Sequence, residues 1–499
     1  MKTVLIIGAG PAGLTAALEL LRKSKDYDVT VLEEESVVGG ISKTINYKGN
    51  RMDMGGHRLF SKNTDVNLWW ERLLPMENQD NKPETTDAVM LKRNRVSRIL
   101  FDSKFYDYPV SLGIKTLRNL GFVNTMKVGF SYLHSVFHKL PETNLENFYI
   151  NRFGRKLYEQ FFEYYTENLW GRHPRDIDAS WGAQRVKGLS ITAVVKDVLE
   201  KIFRKKERQV ETSLIESFKY PKFGPGQLWE ITAAQIEELG GRIITDAKVV
   251  KLSQEGGRIK SLTCIIDGAE SVIPGDLFIS SMPLKDLIAG LNDVPENVSR
   301  IAAGLPYRDY MTLGVLVRKL KLKNETGIKT AGNIVPDCWI YVQDRNVKMG
   351  RIQIFNNWSP YMVQDVEHTV WIGLEYFVNE GDWMWNMTEK EFTDFAVSEM
   401  VEIGLVDNSD DVIDSHLERV RKAYPAYFDT YNNIDVLHSW LDKIPNLYCV
   451  GRNGQHRYNN IDHSMMTSFE AVRNILSGTP DKTNIWNVNT EAEYHEQNK

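Results

Sequence analysis

Apolar positions along this chain follow two rhythms, and the places where one gives way to the other mark its elements. "VLII" at Val4–Ile7 is an unbroken apolar run, the pattern of a strand covered on both faces. From Leu14 to Leu21 the apolar residues recur at helical spacing, and Arg22 and Lys23 stand where they favour the negative end of a helix. "DVTVL" then predicts a second strand. Residues 85–110, with "AVMLKRNRVSRILFDSKFYDYP", predict further strands. Residues 111–219 mix Leu, Phe, Tyr, Lys and Glu with few breakers and predict helices. "FGPGQLWEITAAQIEELGGRIITDAKVVKL" reads as loop, helix, Gly-Gly stop and strand, and "DLFISSMP" adds a buried strand within 220–304. β-like runs such as "MTLGVLVRKL", "GRIQIFNN" and "TVWIGLEYFV" dominate 305–435. Residues 436–478 return to strand, loop and helix, and 479–499 form a polar tail.

Gly8, Gly10 and Gly13 set G-x-G-x-x-G between the first strand and the first helix. The first glycine permits the tight turn, the second lets backbone approach a pyrophosphate, and the third lets helix pack closely on strand. Glu33 ends the second strand, where a carboxylate accepts hydrogen bonds from a ribose hydroxyl. Together these predict a Rossmann-like dinucleotide-binding domain. It would be assembled from 1–84, 220–304 and 436–478. Residues 111–219 would be an inserted helical domain, and 85–110 with 305–435 an antiparallel β-sheet substrate domain. The expected class is therefore α/β. A second glycine pair follows at Gly39 and Gly40, and "RMDMGGHRLF" adds Gly55, Gly56 and His57. Gly224 and Gly226 mark either a loop close to ligand or a turn before a helix.

Composition narrows the class. At 42% apolar and 25% charged residues the chain reads as globular, and a net charge of −5 gives no global basic field for nucleic acid. The lysines of "KIFRKKERQ" read as a solvated helix face. Three scattered cysteines, Cys264, Cys338 and Cys449, make neither a disulfide framework nor a metal site and suit a reducing compartment. No apolar stretch reaches the ~18–20 residues that span a bilayer. The apolar run after Lys2 leads straight into the glycine motif and reads as a strand rather than a signal peptide. The expected location is the cytoplasm.

The Glu33…Gly39–Gly40 tail resembles the FAD-binding domain of the amine oxidase and protoporphyrinogen oxidase-like flavoproteins. Within that superfamily the chain resembles the UDP-galactopyranose mutases, especially the longer eukaryotic-type branch. "MGGHRLFS" is similar to that branch's Gly-Gly-His loop beside the flavin. "LWGRHPRDIDASWGAQRV" is similar to a Trp-containing segment ending in a substrate-binding arginine, and "LGVLVRK" to the strand supplying a second one. "CWIYVQDRNVKMGRIQIFNNWSPY" follows its middle sheet in order and type. Gly-Arg-x-Gly-x-x-Arg-Tyr…Asp-His-Ser at 451–464 is the nearest match. Where that branch has Tyr-Pro-Phe-Gln near the nucleotide base, this chain has Tyr108, Pro109, Val110 and Ser111. Residues 190–219 depart from the pattern as well.

The resemblance implies an isomerase. It would interconvert pyranose and furanose forms of a UDP-galactose-like sugar nucleotide through an adduct at N5 of reduced FAD, for cell-surface glycan synthesis. An outside reductant such as NAD(P)H would keep the flavin reduced. Arg185 and Arg318 would hold the diphosphate with guanidinium forks that stay protonated; the alternatives are a surface helix residue and a solvent-facing strand residue. His57 would contact the flavin near N5, or cap its loop. Tyr458 would reach the substrate diphosphate, with Tyr424 and Tyr307 as companions. Trp170 would line the sugar pocket or sit in the core, and Tyr108 would lie by the base. The adenine end would be served by Glu33 and backbone at Val249. Gly451 and Arg452 would be delivered at the flavin. Asp462 and Ser464 would open a helix whose N-terminus faces the FAD, unless Asp462 simply caps it. The competing functions are an FAD-dependent oxidoreductase of the amine oxidase or desaturase type, and a non-catalytic flavoprotein.

Overall fold

In the computed structural model, residues 1–108, 114–179 and 217–489 are described. They fall into two compact units: Met1–Arg93, Phe218–Arg308 and Val420–Thr490 in the first, Asn94–Ser217 and Asp309–Arg419 in the second.

The first unit is built on the strand Lys2–Ile7. Its alternate residues face opposite ways: Val4 and Ile6 join one apolar cluster, Leu5 and Ile7 the other. Both faces are thus covered, which is why Val4–Ile7 carries no polar residue. The strand lies central in a five-stranded sheet in the order 447–449, 277–280, 2–7, 27–32, 242–244. Every pairing in it is parallel. Helices Pro11–Lys23, Gly226–Glu238 and Ile461–Ser477 contribute Leu14, Leu18, Trp229, Ile236, Met465 and Val472 to the first cluster. On the other face lie a three-stranded antiparallel sheet, 247–255, 258–266 and 269–274, and the helices Leu284–Gly290, Glu296–Ala303 and Ile434–Leu441. The strand order reverses on either side of the first strand. In such sheets, ligands bind beyond the carboxyl ends at this crossing point.

Past 479, where the sequence reads as a polar tail, a helical turn Thr483–Trp486 packs on this unit. Trp486 is buried, stacks on His438 with centroids 4.0 Å apart, and donates from Nε1 to Asp442 at 2.8 Å. An indole that finds both an apolar bed and an acceptor is worth ordering.

The second unit contains strands of a seven-stranded sheet and the helices Ile114–Phe137, Leu145–Phe153, Arg155–Phe161 and Glu163–Trp170. Within the sheet, Trp339–Val342 pairs antiparallel with Arg351–Ile354, which pairs antiparallel with Val370–Val378. One junction differs from the expected antiparallel arrangement: Trp339–Val342 runs parallel to Ser97–Phe101. A short hairpin forces antiparallel pairing, but strands so distant in sequence carry no such constraint. A buried ion pair locks the junction, with Arg98 Nε 2.9 Å from Asp337 Oδ1. The helix Glu389–Glu402 interrupts the stretch read as β. Thr388 and Glu391 form a capping box, and Phe392, Ala396 and Met400 cover the sheet.

Candidate functional site

The geometry of the first unit concentrates the predicted residues at the carboxyl ends of its parallel strands. Gly8 turns the chain with φ +97°, and a Cβ on Gly13 would lie 1.9 Å from the Gly8 carbonyl oxygen. Only glycine lets helix Pro11–Lys23 start this close to its strand. The helix begins at Gly10 with no side-chain cap, and Pro11 occupies its first position. Its first-turn N–H groups are therefore left to an outside acceptor, with the positive dipole end behind them. Gly39 N donates to the Ala9 carbonyl at 2.8 Å, and a Cβ on Gly40 would meet Gly10 Cα at 3.3 Å. The two glycine pairs thus form one narrow backbone cradle.

Glu33 closes the cradle. Its carboxylate accepts from Ala9 N at 2.6 Å and Glu35 N at 3.0 Å. Burial raises its pKa, and the two backbone N–H groups oppose that shift. Each oxygen retains a second lone pair for a ribose hydroxyl. Val249 is buried in its strand opposite Cys264, beside a register shift.

The loop at Gly55 (φ +132°) and Gly56 leads to a half-buried His57. Sequence reasoning missed what holds this loop. Asp53, fully buried, accepts from Thr44 Oγ1 at 2.8 Å and from the Tyr220 hydroxyl. Burial pushes the Asp53 carboxyl up to about 7, against the pull of those two hydrogen bonds. Gly226 N donates to the same Thr44 hydroxyl at 3.0 Å. A Cβ on Gly224 would fall 2.4 Å from Thr44 Oγ1, so Gly224 admits this buried network. No spacing rule points to Asp53; the carboxylate is recognisable only once the loop and Tyr220 come together.

The last strand, Leu447–Cys449, delivers Gly451 with φ +77°. Gly451 N donates to Thr467 Oγ1 at 2.8 Å, and its Cβ would lie 2.8 Å from Ala12 Cβ. Ser468 Oγ donates to the Ala12 carbonyl at 2.7 Å. The 451 turn and helix Ile461–Ser477 thus sit against the start of the first helix. Asn460, not Asp462, caps the later helix, reciprocally with His463. Asp462 lies inside the first turn, buried, and accepts from Ser61 Oγ at 2.9 Å. That bond ties the His57 loop to this helix. Ser464 is buried in the same turn.

Arg452 has the most unusual surroundings. Its guanidinium stands 4.1 Å from the Tyr458 ring centroid and 5.1 Å from that of Tyr424. The two rings stack at 5.8 Å with a 16° interplanar angle. Nη1 donates to the Asn459 carbonyl at 3.3 Å, while Nε and Nη2 are buried with no acceptor among the described residues. Tyr427 fixes the loop by accepting, through its hydroxyl, from Tyr458 N. Tyr307 meets His456 edge-on at 4.6 Å, and burial raises its phenol pKa. Burial lowers the His456 pKa to about 4, and its Nε2 donates to the Ala426 carbonyl, 3.0 Å away.

The remaining predicted residues belong to the second unit. Trp170 is buried at the end of its helix. Tyr108 stacks on Tyr341 at 4.2 Å. Arg318 is exposed just past the strand Tyr307–Val317; its N–H donates to the Asp411 carbonyl at 2.9 Å and its guanidinium to the Asp410 carbonyl. Arg185, Val110 and Ser111 lie outside the described residues. Among the described residues there is no metal-ligating cluster, and no helix is long and apolar enough to cross a membrane.

The first unit fits an FAD. It offers a side-chain-free cradle at an uncapped helix start, an acid beside it, and a buried guanidinium with N–H groups to spare.

The pattern of the flavin-containing amine oxidoreductases matches residues 11–476. A 1-hydroxycarotenoid 3,4-desaturase from Flavobacterium sp. (strain P99-3) is 31% identical over 130 residues, 21% of this chain and 26% of that protein. The chain's match thus spans about a quarter of that relative's length. The structure of a reduced UDP-galactopyranose mutase superposes with a TM-score of 0.78 at 20% identity, over 99% of this chain and 100% of that one. A putative protoporphyrinogen oxidase from Exiguobacterium sp. 255-15 gives 0.69 at 15% identity, over 96% and 99%. A CLA-producing fatty acid isomerase from P. acnes gives 0.57 at 14%, over 95% and 98%. At these identities the likeness is one of fold.

Proposed function

The chain belongs to the flavin-containing amine oxidoreductase family, whose cofactor is FAD, and on that premise we propose that it is a sugar-nucleotide mutase. It would interconvert the pyranose and furanose forms of a nucleoside-diphosphate sugar of the UDP-galactose kind, in the service of surface glycan synthesis. The observation that carries this reading is the guanidinium of Arg452 set over the stacked rings of Tyr424 and Tyr458. Reduced FAD supplies a nucleophilic ring nitrogen to an anomeric carbon, and an outside donor such as NAD(P)H keeps it reduced. The chain's own residues do the rest. The Gly8–Gly13 turn and the helix behind it hold the pyrophosphate of the cofactor. Glu33 takes the ribose. Arg452 holds its charge against the cofactor through the Nε and Nη2 groups, which have no acceptor among the described residues. The paired tyrosine hydroxyls serve the departing diphosphate as donors that add no charge. His57, on a loop stiffened by Asp53 and Ser61, offers an imidazole beside the ring system.

A second reading is an FAD-dependent oxidoreductase of the amine oxidase or desaturase type. The position of Arg318 favours it, because that guanidinium is already engaged with a carbonyl at an exposed strand end. So does the partial identity with a carotenoid desaturase.

An anaerobic assay separates the two. Chemically reduced protein is given a panel of pyranose sugar nucleotides, and ring forms are followed by chromatography. Furanose product that requires reduced flavin supports the mutase. Failure of every sugar nucleotide to isomerise or to perturb the flavin spectrum overturns it and puts the oxidoreductase first.

A further inference from the structure

The helix Ile114–Phe137 of the second unit is apolar on two sides. Its inner side is packed. Leu120, Val128 and Ser135 are buried, Lys156 N donates to Ser131 Oγ at 3.0 Å, and a Cβ on Gly154 would lie 2.8 Å from Tyr132 N. Its outer side carries Phe122, Met126, Phe130, Leu133 and Phe137, four, four, three and four residues apart, which is one helical face. Their exposures are 81, 44, 66, 51 and 78%. Gly121, at φ 76°, breaks the helix just before Phe122, so the row belongs to the straight segment that follows. Single exposed apolar side chains need no explanation; a contiguous row of five marks an interaction surface.

The charge along this stretch of the chain is one-sided. Between Asp107 and Glu142 the chain has no Asp or Glu, although 66 of its 499 residues are acidic. The same interval carries Lys115, Arg118, Lys127 and Lys139. Arg118, Lys127 and Lys139 are exposed, as are His134 and His138.

We propose that this face docks the protein on an anionic lipid surface, lying in the interface with its apolar row at the acyl boundary and its cations among the headgroups. The helix is not long and apolar enough to cross. A second copy is the weaker occupant, since a two-fold contact through this face would bring the same cations against one another. The inference stands apart from the mutase reading and from the identity of the substrate.

The test is flotation of the FAD-loaded full chain with vesicles of phosphatidylcholine alone or mixed with phosphatidylglycerol. Recovery with the mixed vesicles, lost with phosphatidylcholine alone and at high salt, supports the proposal. The double variant Phe130→Ser/Phe137→Ser should lower recovery about tenfold or more, with bound FAD and melting temperature unchanged. Lys127→Glu should weaken recovery with the mixed vesicles and leave the FAD in place. The proposal is overturned if wild-type protein fails to float with either vesicle, or if the double variant floats as well as wild type. It is also overturned if sedimentation shows a dimer that the double variant splits, because the row is then a self-interface.

Discussion

The two ends of the chain meet over the same parallel sheet and, on the proposed function, would recognise ligand in opposite ways. At the first strand the cradle is backbone: Gly8, Gly10, Gly13, Gly39 and Gly40 contribute no side chain, and at Gly13 the Gly8 carbonyl oxygen leaves no room for one. At the last strand it is done by side chains: Arg452, Tyr458 and Asp462 each have a defined partner or ring beside them. A backbone cradle binds a pyrophosphate whatever is attached to it. A guanidinium set over aromatic rings discriminates by charge and shape. On that reading the first region would hold the dinucleotide, and the second would decide what is done with it.

The largest effect should come from filling the cradle. Gly13→Val places carbon inside the Gly8 carbonyl, and the expected outcome is loss of bound FAD together with a cooperative loss of stability of several kcal/mol, on the order of 3 or more. Absorbance of the purified protein and a melting curve read both. Arg452→Ala should keep the fold and cut turnover about 100-fold or more, with weakened FAD; Arg452→Lys should not restore it, because an ammonium lacks the planar fork. Flavin content measured beside turnover separates the two losses.

Asp53 tests how far the buried network supports the His57 loop. Its carboxyl is raised from 3.8 to about 7, so the folded state binds the proton more tightly than the unfolded chain. Its contribution to stability is complete below about pH 4 and is lost as pH rises through about 7. The upper limit is about 4 kcal/mol, from roughly 1.4 kcal/mol per pKa unit. Melting temperatures of Asp53→Asn should show a flatter pH slope across that window; an unchanged slope would remove Asp53 from the account. Tyr458→Phe should retain FAD and lower sugar-nucleotide turnover by about 10-fold, the size of one hydrogen bond to a charged group. The smallest effect is expected at Arg318→Ala, within about 2-fold of wild type, since its guanidinium is committed to Asp410. A loss of orders of magnitude there would show that this arginine leaves its carbonyl partner to meet the diphosphate.

Much of the first unit was legible because its determinants are local. A continuous apolar run, three glycines at fixed spacing and an acid at the next strand end need no distant partner to be recognised. The position of Asp462 was legible too, but its partner was not: of the two roles read for it, facing the cofactor or capping the helix, the cap falls to Asn460, and Ser61, 401 residues away in sequence, donates to its carboxylate. Glu389–Glu402 shows a local signal overridden by context. Its Thr-x-x-Glu box is visible in the sequence, yet the surrounding β-like runs outweigh it in a regional reading.

By itself, then, the sequence determined the first strand, its glycine turn and the helix behind it, because each follows from spacing within a few tens of residues. Only the tertiary structure decided that Asp53, Thr44 and Tyr220 form one buried network, that Arg452 stands over Tyr424 and Tyr458, and that Trp339–Val342 runs parallel to Ser97–Phe101. Tyr220, Tyr424 and Ser97–Phe101 reach those contacts from segments far away along the chain. Burial and shape select such partners, and they are defined only when the layers close.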